Sequence, residues 1–548
     1  MCSTPDDCPP PAECAVAECN AGACSQSFLP ADSSCGNGVS QVCDGSGNCL
    51  GAAGHFCEST QECLTPACAD GVCCDSPCDS LCASCSQTGL LGTCVAYGPA
   101  ENPEGCAPGT CDGAGACASG VALAAGAVGS GSGDSYIVSL DVLSSGEALL
   151  AGFFSGGANA GGSDLTSAGG FDILVARLDA TGAHLWSKRF GGTSDQFAYA
   201  VKGAPGGGVL LAGDLGGSVD FGGGLLTSNG GPDAFLVRLD ENGDHVWSKQ
   251  FGDASSQTLN ALSSAPNGDV IAAGDFTGSV DFGGGPLATA GFVDVAVVRM
   301  DSAGNHLWSK RFGDANEQRV TALAVDSNGD SWLTGYFIGA GLDFGGGALP
   351  YAGSYDVFVA KLDSDGNHLF SASFGDGSDQ RGRAIAVGPD GSVAIAGGAN
   401  GTTNFGSGPL TSAGNFDAFV ALFEPTGAPR WSKNFGDANE QQTWGVAIDA
   451  SGSVSVAGEM IGNADFGGGE LSSLGSFDVF VAKLAADSTH LWSHRYGDAN
   501  ADYHNSLAAG PDGSLWVEGS FFGVLDFGSG GQLVNAGGLD SFWAHLLP

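Results

Sequence analysis

Thiols are the most reactive groups in this 548-residue chain, and all twenty lie between Cys2 and Cys117. They are Cys2, Cys8, Cys14, Cys19, Cys24, Cys35, Cys43, Cys49, Cys57, Cys63, Cys68, Cys73, Cys74, Cys78, Cys82, Cys85, Cys94, Cys106, Cys111 and Cys117. Cys82 and Cys85 form a CxxC, and Cys73, Cys74 and Cys78 add close neighbours, so zinc is one chemistry to weigh. A structural zinc site needs two such pairs or a pair with histidines, and His55 is the only histidine of this stretch. An even number of crowded cysteines with few large apolar residues between them fits ten disulfides standing in for a core. Such bridges require an oxidising compartment, which predicts an extracellular or cell-surface protein. Met1 and Cys2 are followed by polar residues, so a removed leader is inferred. Acylation of Cys2 is the alternative, and it would leave nineteen cysteines, an odd number, to pair.

After Cys117 the groups capable of chemistry recur at fixed intervals. His184, His245, His306, His368 and His490 could suggest a ring of metal ligands. Equivalent residues on sheets packed about 10 Å apart cannot converge on a metal with bonds of about 2 Å, so they are read as rim residues. Trp186, Trp247, Trp308, Trp431 and Trp492, with Phe370 at the same place in one repeat, are read as packing. Asp220, Asp281, Asp343, Asp465 and Asp526 follow one spacing, and Asp253, Asp314, Asp376, Asp437 and Asp498 another. Aspartates that cap their own turns account for both sets. Structural calcium is the alternative, although DSDGN from Asp363 lacks the glutamate that closes a calcium loop. Asp326, Gly329 and Trp332 miss the SxDxGxxW spacing of sialidases by one residue. No Ser/His/Asp set and no carboxylate pair can be placed, so no catalytic residue is assigned.

Charge narrows the partners: 60 acidic residues against 17 basic ones give a net charge of -43, and the first cation is Arg177. Such a chain repels phosphate backbones and anionic headgroups, which argues against nucleic acid and membrane surfaces. No run of 18 apolar residues occurs, so no transmembrane helix is expected.

The recurring residues belong to one repeat. FDILVARLDATGAHLWSKRFGG, from Phe171, returns as PDAFLVRLDENGDHVWSKQFGD, FVDVAVVRMDSAGNHLWSKRFGD and three further copies, with a seventh start, LDSFWAHLLP, at the end. The marker aspartates Asp172, Asp233, Asp294, Asp356, Asp417, Asp478 and Asp540 are 61, 61, 62, 61, 61 and 62 residues apart. Each unit reads as four strands: Arg319 to Val325, Ser331 to Phe337, Asp356 to Leu362 and His368 to Phe374, with Asn-Gly and Asp-Gly turns between the members of each hairpin. Seven four-stranded units predict an all-β, closed seven-bladed β-propeller over residues 119–548, behind a small disulfide-rich, loop-rich module over residues 1–118. The last unit lacks a fourth strand, while Val121 to Val128 stands alone before the first. That strand is therefore expected to complete the last blade and to remove its open edge, leaving a monomer.

LAVDSNGDSWLTGYF, LDF from Leu342 to Phe344 and YDVFVAKLDSDGNHL from Tyr355 resemble the bacterial β-propeller repeat family labelled SBBP. The likeness covers about 430 residues and departs from the family in the GGG after DF and in the HLWSK strand. It implies a secreted or surface-attached propeller with no known reaction. DGVCCDSPCDSLCASC from Asp70 and TCDGAGAC from Thr110 look like cysteine-rich modules of large secreted proteins of gliding soil bacteria.

In a repeat protein, positions that fail to repeat are free to serve function. Two columns of the innermost strand do so: Tyr136, Phe197, Thr258, Arg319, Arg381, Gln442 and Tyr503, then Val138, Tyr199, Asn260, Thr321, Arg383, Trp444 and Asn505. Both are expected to line the channel. Arg319, Arg381 and Arg383, beside Tyr199, Trp444 and Tyr503, are the candidate residues for an acidic or sugar-like ligand. The expected function is non-enzymatic binding or adhesion toward an extracellular glycan or protein partner, with no cofactor. A hydrolase or lyase acting on extracellular polysaccharide is the alternative.

Overall fold

The computed structural model describes residues 120–548 except 121, 130, 132, 529 and 530, and, before them, the backbone of eight short strands. The chain divides into two units, Met1–Ser119 and Gly120–Pro548. In the first, the eight strands form four two-stranded antiparallel ladders, such as Ala15–Asn20 with Ala23–Phe28. Disulfide pairing, zinc and the state of Cys2 concern side chains outside the described residues.

The second unit is a ring of seven four-stranded antiparallel sheets. Blade four runs Gln318–Val325, Ser331–Phe337, Asp356–Leu362 and His368–Phe374, one residue longer at its start than the sequence suggested. β-Branched and aromatic residues hold the strands, and the two hairpins of the blade close on an Asn-Gly and an Asp-Gly turn, with Gly329 and Gly366 at positive φ where a side chain would be strained. Second and third strands are buried along nearly their whole length, because both faces of each sheet meet a neighbouring blade. Seven apolar clusters result, each shared by adjacent blades; Ala212 and Leu236 of blade two, for example, join Leu262 and Val298 of blade three.

The ring closes as the count of strands required. Ala122–Val128 pairs antiparallel with Asp540–Leu546, from Val128 opposite Ser541 to Ala122 opposite Leu546. Trp543 lies over Gly126, where a Cβ would come within 2.6 Å of its indole, and Trp516 and Trp543 join the apolar cluster of blade one.

The marker aspartates hold the entry to the third strand. One carboxyl oxygen of Asp172 accepts from the Ala168 N–H, and the same bond recurs at Asp233, Asp294, Asp356, Asp417, Asp478 and Asp540. The repeated tryptophans latch neighbouring blades: the indoles of Trp186, Trp247, Trp308 and Trp431 donate to carbonyls of the next blade's outer hairpin.

The Gly-rich connection between the second and third strands contains structure that the sequence did not reveal. In six blades it forms a two-stranded ribbon, as Ser218–Asp220 with Leu225–Thr227. The GGG turn of that ribbon and the histidine of the outer strand are one unit. A Cβ on Gly223 would lie 2.1 Å from the His245 ring, and Gly162, Gly284, Gly346 and Gly468 meet their histidines in the same way. Each ring also bonds the serine three residues on, as His245 Nε2 to Ser248 Oγ at 3.1 Å. Blade five supplies an internal control: Pro429 replaces the histidine and Ser407 the middle glycine. Gly223→Ala is therefore expected to destabilise the propeller by about 1–3 kcal/mol, and by much less in a His245→Ala background. A double-mutant cycle from denaturant melts checks this, and additive losses would show that the two sites do not touch.

Candidate functional site

Each innermost strand carries a β-bulge at the same place. The residues left out of the cross-strand register are Val138, Tyr199, Asn260, Thr321, Arg383, Trp444 and Asn505, which are the second non-repeating column. The partner strand answers every bulge with glycine: Gly152, Gly213, Gly274, Gly335, Gly397, Gly458 and Gly519. A Cβ on Gly335 would fall 2.0 Å from the Arg319 carbonyl oxygen, and the other six approach as closely. A bulge re-aims the side chains around it, and the two columns separate as a result. Bulge residues line an axial cavity of about 420 Å³. First-column residues lie outside that lining, at the end of the channel where the innermost strands begin.

At this mouth each first-column residue meets two others that the sequence reading missed. One follows the invariant glycine of the second strand, giving Phe153, Asp214, Asp275, Tyr336, Gly398, Glu459 and Ser520; the other precedes the third strand, giving Phe171, Pro232, Val293, Tyr355, Phe416, Phe477 and Leu539. Both columns fail to repeat, and that was the available signal. Blades one and two contribute an aromatic cluster: Phe153 lies 5.1 Å from Tyr136, 5.5 Å from Phe171 and 4.8 Å from Phe197, and Tyr199 stacks on Phe197. Blades two to six contribute charge.

Arg319 pairs with Glu317 at 2.5 Å and with Asp275 at 3.3 Å, and the Tyr355 hydroxyl donates to Glu317. Arg381 pairs with Asp379 at 3.3 Å, while its guanidinium lies 5.0 Å from the Tyr355 ring and 5.4 Å from the Tyr336 ring. Arg383 sits 4.2 Å over Trp444 and 5.8 Å from Tyr336. Thus Arg381, Arg383 and Trp444 come together around Tyr336, with Arg319 next to them in blade four. Tyr199 belongs to the aromatic cluster, and Tyr503 lies apart from the arginines, 5.8 Å from Phe477.

Burial pushes several mouth carboxyls upward. Asp214 rises to about 6, with bonds from Thr258 and Tyr199 opposing the shift. Asp275 rises to about 7 against the pull of Arg319. Glu459 rises to about 7 through burial and the nearby Glu440, with Arg383 pulling the other way. These groups change charge near neutrality, which is the property an acid or base at a binding site needs.

The turn aspartates point at backbone. Asp220 Oδ1 accepts from Gly222 and Gly224 N–H at 2.7 and 3.0 Å, and Asp253 caps Ser255 and Ser279. Among the described residues no group of three or more His, Cys, Asp or Glu is arranged to hold a metal ion. None of their helices is long and apolar enough to cross a membrane.

No family model matches the chain. The regulatory protein FlaEY of Caulobacter vibrioides is 26% identical over 384 residues, which is 63% of this chain and 39% of that protein, so the chain spans about two fifths of that relative. Among solved structures, Sqt1 from Chaetomium thermophilum aligns at TM-score 0.36 and 12% identity over 74% of this chain and 83% of its own. A catalytically inactive virginiamycin B lyase from Staphylococcus aureus aligns at TM-score 0.36 and 8% identity over 77% and 98%. XC5397, a gluconolactonase from Xanthomonas campestris, aligns at TM-score 0.29 and 13% identity over 63% and 92%.

Proposed function

We propose that the protein is a secreted or cell-surface, non-enzymatic binding protein, an SBBP-type propeller whose channel mouth takes a glycan or protein partner while the cysteine-rich part acts as a disulfide-held spacer. One observation carries the reading. The strands, turns, latches and glycines repeat from blade to blade, whereas the residues that cease to repeat gather at one end of the channel, where rings, arginines and carboxyls stand side by side. Shared architecture does not demand that variety, and recognition does. The chain's acidity supports a sugar or protein ligand over a polyanion.

A propeller enzyme acting on extracellular polysaccharide is the second reading, favoured by the raised carboxyls Asp214, Asp275 and Glu459. A glycan array run beside a hydrolase and lyase screen separates the two. Retention of a glycan without turnover is the expected result. Turnover abolished by Arg381→Ala would overturn the binding-only reading. The name of the Caulobacter relative adds no partner, because the chain spans only 39% of it.

A further inference from the structure

We propose that Arg383 anchors the carboxylate of a singly charged, polyhydroxylated ligand, a uronic-acid unit at the end of a glycan, inside the propeller channel. This rests on the binding reading and gives it a ligand class.

Every other arginine of the chain donates to a carboxylate or a carbonyl. Arg383 alone makes neither a hydrogen bond nor an ion pair among the described residues, and its Nε is buried without an acceptor. Acids are not scarce in a chain with 60 of them, and Glu440 and Glu459 lie near enough to act on Arg383 through space. The guanidinium is held away from them on the Trp444 ring at 4.2 Å, at a bulge position that lines the cavity. A planar fork of donors fixed on an aromatic face, without a protein acceptor, matches a planar carboxylate.

Its companions on the channel wall suit hydroxyl groups. Asn260 donates its amide N–H to Asp275, and Asn505 donates to the Ile137 carbonyl. Both keep an amide oxygen that can accept from a ligand hydroxyl. A cavity of about 420 Å³ suits one or two sugar units. The carboxylates around the mouth set the charge limit: they repel a polyuronate or a doubly charged phosphate more strongly than a single carboxylate.

Isothermal titration of the full chain tests this with four probes: a disaccharide ending in glucuronate, its glucose-ended counterpart, the same sugar as a phosphate, and a polyuronate. The glucuronate-ended probe is expected to bind best. Arg383→Gln should weaken it by about 10- to 100-fold, leave the melting temperature unchanged, and spare any affinity for the neutral probe. The wild-type comparison between probes needs no variant, so a misfolded Arg383→Gln cannot obscure the outcome. Equal affinity for the acidic and neutral probes, or a preference for the phosphate or the polymer, overturns the ligand class and leaves the binding reading standing. Failure of any glycan to be retained overturns both.

Discussion

Starting the chain at Gly131 instead of Gly120 is expected to lower the melting temperature of the propeller sharply and to make it aggregate. The lost segment carries the outer strand Ala122–Val128 of the last blade, whose partner Asp540–Leu546 would be left with an open edge. At about 1 kcal/mol per ladder hydrogen bond the deletion removes on the order of 5 kcal/mol, comparable to the whole stability of many domains. Further contacts go with it: the Tyr496 hydroxyl donates to the Gly120 carbonyl, and the Trp543 ring loses its floor at Gly126. Removing residues 1–119 leaves all of these in place. Thermal melts and size-exclusion profiles of the two truncations are the check, and equal melting temperatures would show that the strand contributes nothing to the ring.

Glu518→Gln is expected to stabilise the protein at neutral and alkaline pH and to do nothing in acid. Glu518 occupies a second-strand position held by Ala151, Ala212, Ala273, Thr334, Ala396 and Ala457 in the other blades. It is fully buried, and the nearby Asn505 amide offsets its desolvation only in part. Burial raises its pKa well above 4.5. The folded state thus holds a proton that the unfolded state gives up above about pH 4.5. This contribution to stability is complete below that pH and falls by about 1.4 kcal/mol per pH unit while the buried carboxyl stays protonated. Asp275, Glu459 and Asp502, each raised to about 7, act in the same direction but are common to both proteins. Melting from pH 4.5 to 8.5 should therefore give profiles that diverge as pH rises. Parallel profiles would mean that Glu518 is paired or hydrated in solution.

The architecture was legible because a repeat states it many times. Seven marker aspartates at a 61- or 62-residue spacing, period-two strands and Asp-Gly or Asn-Gly turns depend only on local chemistry, and the count of outer strands was enough to predict the exchange that closes the ring. The GGG and HLWSK segments were also visible, yet nothing in their separation of about twenty residues indicated that one packs on the other. That contact exists because the Gly-rich connection folds back over the outer strand, in blade four even without the ribbon.

The candidate site was half legible. Failure to repeat marked the innermost columns, but strict alternation put Arg381 and Arg383 on one wall. The bulge turned Arg383 to the channel wall and left Arg381 at the mouth, both beside Tyr336, and its trace in the sequence was the invariant glycine of the neighbouring strand, Gly397 in that blade. Local propensity and periodicity determined which segments become strands and how many blades there are. Which arginine keeps a carboxylate depended on contacts both within a blade and between neighbouring blades, set by how whole blades pack. Asp379 reaches Arg381 across two residues, and Asp275 reaches Arg319 from the preceding blade. Trp444, from the following blade, holds Arg383 out of reach of the acids around it.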